Sequence, residues 1–358
     1  MSSKVFKYNP VGNIFIIANL SKKDYNKYKP LIEKISCEQM MPFEMIVDSQ
    51  SAKYSKDYNI LSFKKFGHFC MPLNFKNQWK LFDLKNNVVT KMFSSTSSKV
   101  AIEKEVDVIK SSNITGLAPK LIAFDISGGW YQEELISGSV KIPESWEEIM
   151  HKYTKVIPRI IRMILQSGPV AKVCPTDYIN IKYKNILKMA EKMIDSEQDL
   201  NHFLTFSNCV FKKIDDIKSN TNSNVIYIGN THGDFKFTHL FGDDNNPQLV
   251  DWEAYSARSI MFDYYNAICP WLIHHKIPND ASRQFHIAIN FFISEISQNL
   301  NSEISTNISN NSELYKYIYF FERVERTFLS GHKNIREIVK SIRRAIHGIN
   351  RFDEVIEI

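Results

Sequence analysis

Two carboxylates lie where a pair of short strands would present them. The run Tyr227-Ile-Gly-Asn-Thr-His-Gly-Asp-Phe-Lys-Phe-Thr-His-Leu-Phe241 reads as a strand that delivers His232-Gly233-Asp234 into a loop. The run Gln248-Leu-Val-Asp-Trp-Glu253 reads as a second strand ending on Asp251. Phosphoryl transfer needs this pair of groups. One carboxylate orients or deprotonates an attacking hydroxyl, and the other holds Mg²⁺ on nucleotide phosphates. His-Gly-Asp alone is a weak triplet; the downstream Asp-Trp-Glu, with strand context on both sides, gives it weight.

A third group lies far upstream. Val88-Val-Thr-Lys91-Met-Phe93 puts one Lys inside an apolar strand. Burying it without a partner is costly. The helical pattern Lys99–Ser111 then carries Glu103 and Glu105, either of which is a candidate partner. Read without such a partner, Lys91 is an edge-strand Lys facing water.

These groups need a scaffold of two kinds. The first part of the chain is sheet-rich. Strands are expected over Asn13–Asn19, Ile60–Phe66, Trp79–Leu84 and Val88–Phe93, the last two joined at Lys85-Asn86-Asn87. A further pair, Leu121–Asp125 and Trp130–Ile136, turns at Ser127-Gly128-Gly129. A helix is expected over Ser21–Ile35, and Ser94–Ser98 reads as a polar loop. From about Pro143 helical patterns dominate: Trp146–Ser167, Thr176–Gln198, Leu200–Asn220, Ser282–Asn299, Ser312–Leu329 and Asn334–Asn350. A β interlude over Val225–Ile228, Thr238–Phe241 and Gln248–Val250 carries the two carboxylates. The Asn- and Ser-rich stretch Ser297–Ser312 reads as a surface loop. The natural boundary lies at Ser137–Pro143. It divides an extension or extra small-lobe segment (1–60) and a nucleotide-binding small lobe (61–138) from a helical catalytic and acceptor-binding large lobe (139–358).

Composition narrows the classes. A chain of 358 residues is long for one core. Hydrophobic residues at 44% and aromatic residues at 13% favour a packed protein over a disordered one. The net charge of +6 is spread along the chain, with no run dense enough for a nucleic-acid arm. Cys37, Cys70, Cys174, Cys209 and Cys269 form no CxxC pair, so a reducing, cytoplasmic setting is expected. Cys209 and Cys269 read as core. No apolar run is long enough to be an integral membrane segment.

The chain resembles the aminoglycoside phosphotransferase and choline kinase family, relatives of protein kinases. The family's catalytic stretch runs His-x-Asp, four residues, then Asn, and later Asp-Trp or Asp-Phe; here stand Thr231-His232-Gly233-Asp234-Phe235, then Leu240-Phe241, then Val250-Asp251-Trp252-Glu253. The resemblance spans roughly residues 75–270. It implies an α+β fold, two-lobed and protein-kinase-like, with a β-rich N-terminal lobe and a mainly helical C-terminal lobe.

It also implies roles. Asp234 becomes the catalytic carboxylate, with His232 beside it as brace or catalytic partner, and Asp251 the metal ligand. Phe262-Asp263-Tyr264 matches a short downstream segment in which Asp263 would cap or brace a helix. Lys91, oriented by Glu105 in a Glu-x-x-x-Leu-like register with Ile109, would hold the α- and β-phosphates of ATP. Tyr131-Gln-Glu-Glu-Leu-Ile-Ser-Gly138 resembles the hinge, whose backbone at Glu134, Leu135 and Ile136 would meet the adenine edge. Where the family has its second metal-ligating Asn, this chain has His239. Imidazole ligates zinc or manganese more readily than magnesium. No Gly-rich phosphate loop is present; by position Pro72–Gln78, with Asn74 and Asn77, would serve.

The implied function is ATP- and Mg²⁺-dependent phosphorylation of a hydroxyl on a small molecule or sugar, a cell-surface glycan precursor among the candidates. The Lys and Arg residues of the C-terminal helices balance their acids, which favours a neutral acceptor over a cationic one. The second reading is a non-catalytic kinase-fold scaffold or regulator, motivated by His239 and the missing phosphate loop.

Overall fold

The computed structural model describes residues 6–9, 14–17, 68–73, 78–93, 99–136, 143, 145–194, 196–220, 225–243, 245–274, 281–299, 302–329 and 335–356, with six more between 21 and 29. The expected strand Ile60–Phe66, the loop Ser94–Ser98, most of the helix Ser21–Ile35, most of the boundary Ser137–Pro143, and Asn74, Asn77 and Gly138 lie outside them. The chain folds as two compact units. One comprises Met1–Lys141 with Leu240–Val250, the other Ile142–His239 with Asp251–Ile358.

The first unit holds a seven-stranded antiparallel sheet, ordered β1-β2-β3-β4-β5-β7-β6. Its strands are β1 (Phe6–Asn9), β2 (Ile14–Ile17), β3 (Phe69–Leu73), β4 (Gln78–Asp83), β5 (Val88–Met92), β6 (Leu121–Asp125) and β7 (Trp130–Glu134). The β4–β5 turn is set by an Asx device: the Asp83 carboxylate accepts from the Lys85 and Asn86 amides, each at 3.2 Å. Asn87 completes the turn at φ 54°, a region Asn tolerates better than most residues. The register then pairs Lys80 with Lys91 and Lys91 with Tyr131. Helix α1 (Lys99–Ile114) buries Ile102, Val106 and Ile109 at helical spacing while Glu103 stays exposed. The hairpin of β10 (Leu240–Phe241) and β11 (Gln248–Leu249) joins this unit through the Leu249 amide, which donates to the Leu117 carbonyl at 2.7 Å.

The second unit is mostly helical: α2 (Trp146–Gln166), α3 (Pro175–Met193), α4 (Glu197–Asn220), α5 (Phe262–His274), α6 (Ala281–Asn299), α7 (Ser302–Asn310), α8 (Ser312–Leu329) and α9 (Ile335–Ile356). Ser145 caps α2 by accepting from the Glu148 amide at 3.2 Å. A three-stranded antiparallel sheet of β8 (Ala171–Val173), β9 (Ile226–Thr231) and β12 (Ser256–Ser259), ordered β12-β9-β8, is set among the helices. Tyr264 and Tyr265 are fully buried against Phe285, Phe292 and Tyr319 and are core.

Three local expectations fail for physical reasons. Ser297–Ser312 is not a loop. It is the end of α6 and all of α7, because Ile304 and Ile308 meet the core four residues apart. Its polar residues are used as well: Asn307 donates to the Val225 carbonyl at 2.9 Å. The expected strand at Thr238 begins instead with a 3₁₀ turn, Phe237–His239. Cys209 is exposed on α4 rather than core, whereas Cys269 is buried. Among the described residues no helix is long and apolar enough to cross a membrane.

Candidate active site

β9 ends at Thr231, and the chain enters the loop His232–Asp234 with both ends held. The Asp263 carboxylate, in the first turn of α5, accepts from the His232 amide at 2.7 Å and the Gly233 amide at 2.9 Å. One helical turn on, the Asn266 side chain donates to the Phe235 carbonyl at 2.9 Å. The helix face of residues 263 and 266 therefore fixes the backbone on both sides of Asp234. Asp263 thus braces the backbone of the His232–Asp234 loop and not its own helix. Burial pushes its carboxyl up to about 6, against the two amides that favour the charged form.

Gly233 is demanded by this geometry. Its φ is +79°, and a Cβ would lie 2.3 Å from the Ala254 carbonyl and 2.2 Å from the Arg258 guanidinium. His232 is wholly buried; its Nδ1 accepts from the Asp234 amide at 3.2 Å, and its ring meets the Trp252 edge at 4.6 Å. In that place it shapes the loop and does not reach solvent.

Asp234 is crowded by cations. Arg326 Nη1 lies 2.6 Å and Lys236 Nζ 2.8 Å from the same oxygen, Oδ1. Burial alone would raise this carboxyl; Arg326, Lys236 and His239 overcome it and hold the group well below the usual carboxylate range. Asp234 is therefore ionised at any working pH and is a weak base. It suits the task of orienting a hydroxyl better than that of seizing its proton early.

His239 stands between the two carboxylates. Its Nδ1 is 3.9 Å from Asp234 Oδ2, and its Nε2 is 3.9 Å from Asp251 Oδ2. Both separations exceed a hydrogen bond. The Nδ1 atom is buried and has no hydrogen-bond partner. Asp251 itself adopts φ 65°, ψ 58° at the start of the 3₁₀ turn Trp252–Ala254. That left-handed backbone costs roughly 1 kcal/mol or more for a residue with a Cβ. Strain of this kind collects at functional positions.

In the sheet-rich unit, Lys91 Nζ meets Glu105 Oε2 at 2.7 Å, with the two side chains 3% and 10% exposed. The Tyr131 hydroxyl donates to the same carboxylate oxygen at 3.2 Å, and Lys91 lies 5.3 Å from the Phe93 ring centre. Breaking a buried pair from one side typically costs about 3–5 kcal/mol, while apolar replacement of both partners is often neutral. Lys91→Met and Glu105→Leu should each destabilise the fold in urea by about that amount, and the double variant by much less than their sum. Additive losses would mean that the two side chains are not energetically coupled.

In the hinge-like segment, two of the three amides are spent. Glu134 donates to the Lys120 carbonyl at 2.9 Å and Leu135 to the Asn87 carbonyl at 2.8 Å. Ile136 is the residue of the three whose amide takes no such partner among the described residues. The expected phosphate-covering segment Pro72–Gln78 has its ends in β3 and β4.

Of the residues singled out in the sequence, His232, Asp234, His239 and Asp251 come together in the helical unit, and Lys91 and Glu105 pair within the sheet-rich unit. Lys236, Asn266 and Arg326, which touch Asp234 or its loop, were not singled out in the sequence. Lys236 was in plain view two residues from Asp234, but Arg326 lies 92 residues away on a helix that reads as core.

No family model matches the chain. No curated protein matches it either. Among solved structures, the choline kinase of Cryptosporidium parvum Iowa II superposes with a TM-score of 0.51 at 15% identity, over 82% of this chain and 88% of that one. The choline kinase LicA of Streptococcus pneumoniae gives 0.47 at 17% identity, over 76% and 89%. A choline/ethanolamine kinase family protein of Mesorhizobium loti gives 0.46 at 10%, over 79% and 89%. The first of these likenesses establishes the fold. The chain has the α+β architecture of the choline kinases, as the sequence implied.

Proposed function

We propose that the protein is a small-molecule phosphotransferase that moves the γ-phosphate of ATP, in a Mg²⁺-dependent reaction, onto a hydroxyl of a small molecule or sugar. The observation that carries this reading is the line Asp234–His239–Asp251, with the imidazole 3.9 Å from each carboxylate and the loop beneath it fixed by Asp263.

The residues fit a divalent cation with a nucleotide. Asp251 Oδ2 and His239 Nε2, 3.9 Å apart, offer one oxygen and one nitrogen; the buried Nδ1 on the Asp234 side of the ring has no hydrogen-bond partner. Among the described residues no three or more His, Cys, Asp or Glu side chains form a ready-made metal cage. Mg²⁺ in phosphoryl-transfer sites needs none, since it takes most of its ligands from phosphates and water. When bound, the cation would neutralise charge on the transferring phosphate.

The chain's own residues do the rest. Lys91, steadied by Glu105, holds the α- and β-phosphates. The Ile136 amide is the donor assigned to the adenine edge, since those of Glu134 and Leu135 are already engaged. Asp234 accepts a hydrogen bond from the acceptor hydroxyl and so aims its oxygen at the γ-phosphorus. The new bond joins that oxygen to phosphorus, the bond to the β-phosphate oxygen breaks, and the hydroxyl proton leaves by way of Asp234. The products are a phosphate ester and ADP. Candidate acceptors include a cell-surface glycan precursor. The four described cysteines are all free thiols, in keeping with a reducing, cytoplasmic setting.

The test is nucleotide-dependent thermal protection. A ligand at 100 times its Kd adds about 2.7 kcal/mol to stability, a shift of several degrees. ATP with Mg²⁺ should protect the wild type, and Asp251→Ala should lose the Mg²⁺-dependent part of that protection. A wild type indifferent to Mg·ATP would overturn the enzyme reading and favour the scaffold alternative.

A further inference from the structure

Arg326 does more than neutralise Asp234. It spends one guanidinium nitrogen, Nη1, on Asp234 Oδ1, and no other hydrogen bond engages the group among the described residues. Its side chain is 26% exposed, and its remaining guanidinium nitrogens have no partner among the described residues. Lys236 reaches the same oxygen from the other side and is 41% exposed. Two cations thus flank the oxygen that would take the acceptor hydroxyl, against one carboxylate charge.

The neighbouring acids do not cancel the excess. Asp263 is consumed by the loop amides. Glu322 is buried, accepting from the Ser259 amide at 2.8 Å and the Ser259 hydroxyl at 2.7 Å. Glu325 is paired with Lys182 at 2.5 Å. Arg323, one helical turn before Arg326, is turned inward onto the Tyr319 hydroxyl at 2.6 Å and Asn266. Asp251, 38% exposed on the far side of His239, is the acid that still faces solvent, and the proposed reading gives it to the cation; on the Arg326 and Lys236 side of Asp234 the charge facing solvent is positive.

We infer that the acceptor carries an anionic group beside the hydroxyl that is phosphorylated, and that Arg326 is the residue that selects it. This rests on the phosphotransferase reading. An ammonium acceptor would have to seat its charge against Arg326 and Lys236. A carboxylate or phosphate would instead find the open edge of a guanidinium, whose geometry matches both bidentately. The acidic sugars and hydroxy acids of this class satisfy the same hydroxyl requirement at Asp234 as a neutral sugar does. The bonds made and broken are those of the proposed transfer, and the anionic group takes no part in them.

The experiment is phosphate transfer from ATP to four probes of different charge: D-glucuronate, glucose 6-phosphate, glucose and choline. Wild type and two variants, Arg326→Gln and Arg326→Lys, are compared. For the wild type, kcat/KM on at least one of the two anionic probes should exceed that on glucose by tenfold or more, with choline the poorest. Which of the two leads separates a carboxylate from a phosphate as the recognised group. In Arg326→Gln the ratio of kcat/KM for that probe to kcat/KM for glucose should fall tenfold or more, even where turnover of every probe drops because Asp234 loses an ion-pair partner. Arg326→Lys should restore part of the anionic preference, which a merely structural role would not do. A wild type that prefers glucose or choline, or an Arg326→Gln variant that loses all probes in proportion, overturns the charge assignment and leaves the phosphotransferase reading standing. Transfer to none of the four, with no protection by Mg·ATP, sinks both.

Discussion

Asp234→Asn should lower kcat by about 10³-fold and leave Mg·ATP protection against heat within a degree or two of wild type. Loss of a positioned proton acceptor typically costs 10²–10⁴-fold. The isosteric amide keeps the shape of the loop, because the loop is held by Asp263 and Asn266 and not by the Asp234 side chain. It cannot carry the charge that pairs with Arg326 at 2.6 Å and Lys236 at 2.8 Å. It also presents a donor where an acceptor is needed. The KM for nucleotide should barely move, since the groups assigned to the phosphates and the cation are untouched. That split, turnover lost with binding kept, is the mark of an interaction made in the transition state. Turnover within threefold of wild type would remove Asp234 from the chemistry.

How far the sequence could be read depends on where its partners lie. Asp234 and Asp251 were legible because both stand at the ends of strands that are neighbours in the chain. Lys91 and Glu105 were legible because a charged residue inside an apolar strand demands a partner, and the next helix offered two. There the structure decides: Glu105 makes the 2.7 Å bond, and Glu103 faces water. The turn at Lys85-Asn86-Asn87 and the Gly pair before Trp130 were read from local chemistry alone, although the Asp83 carboxylate that sets the first was not.

Long-range partners left no such trace. Arg326 sits in an aromatic-rich helix whose pattern says only that most of its faces are buried. β8 and β12 are three and four residues long, and β8 is largely exposed, so neither shows the alternation that marks a strand. α7 was hidden by composition: Asn and Ser are poor helix formers, and their use as tertiary hydrogen-bond donors is invisible until the helix is placed. The same limit applied to Asp263, which reads as a residue of its own helix but acts 30 residues back along the chain.

Asp263→Ala should be the most damaging single change to the site's structure. It would orphan two buried amides, those of His232 and Gly233, at a cost of roughly 1–3 kcal/mol each. A total loss of about 3–5 kcal/mol is expected in urea unfolding, with turnover falling by two orders of magnitude or more because the loop that aims Asp234 loses its anchor. Asp263→Asn keeps one acceptor oxygen and should fall between the two. The pH dependence gives an independent check. Burial holds the Asp263 carboxyl at about 6 in the folded chain against an ordinary value of 3.8. A folded-state value above the unfolded one means that the native state binds the extra proton. Its stabilising contribution is full below the unfolded value and lost as pH rises through 6, a span worth about 3 kcal/mol. Asp234 works in the opposite sense. Held below the usual range, it adds stability above that range which is lost only in stronger acid. Wild-type stability contributed by this loop should therefore decline between about pH 4 and 6. Asp263→Asn should flatten that decline, and Asp234→Asn should not. An unchanged slope in Asp263→Asn would mean that the two loop amides are not held by an ionisable group of raised pKa.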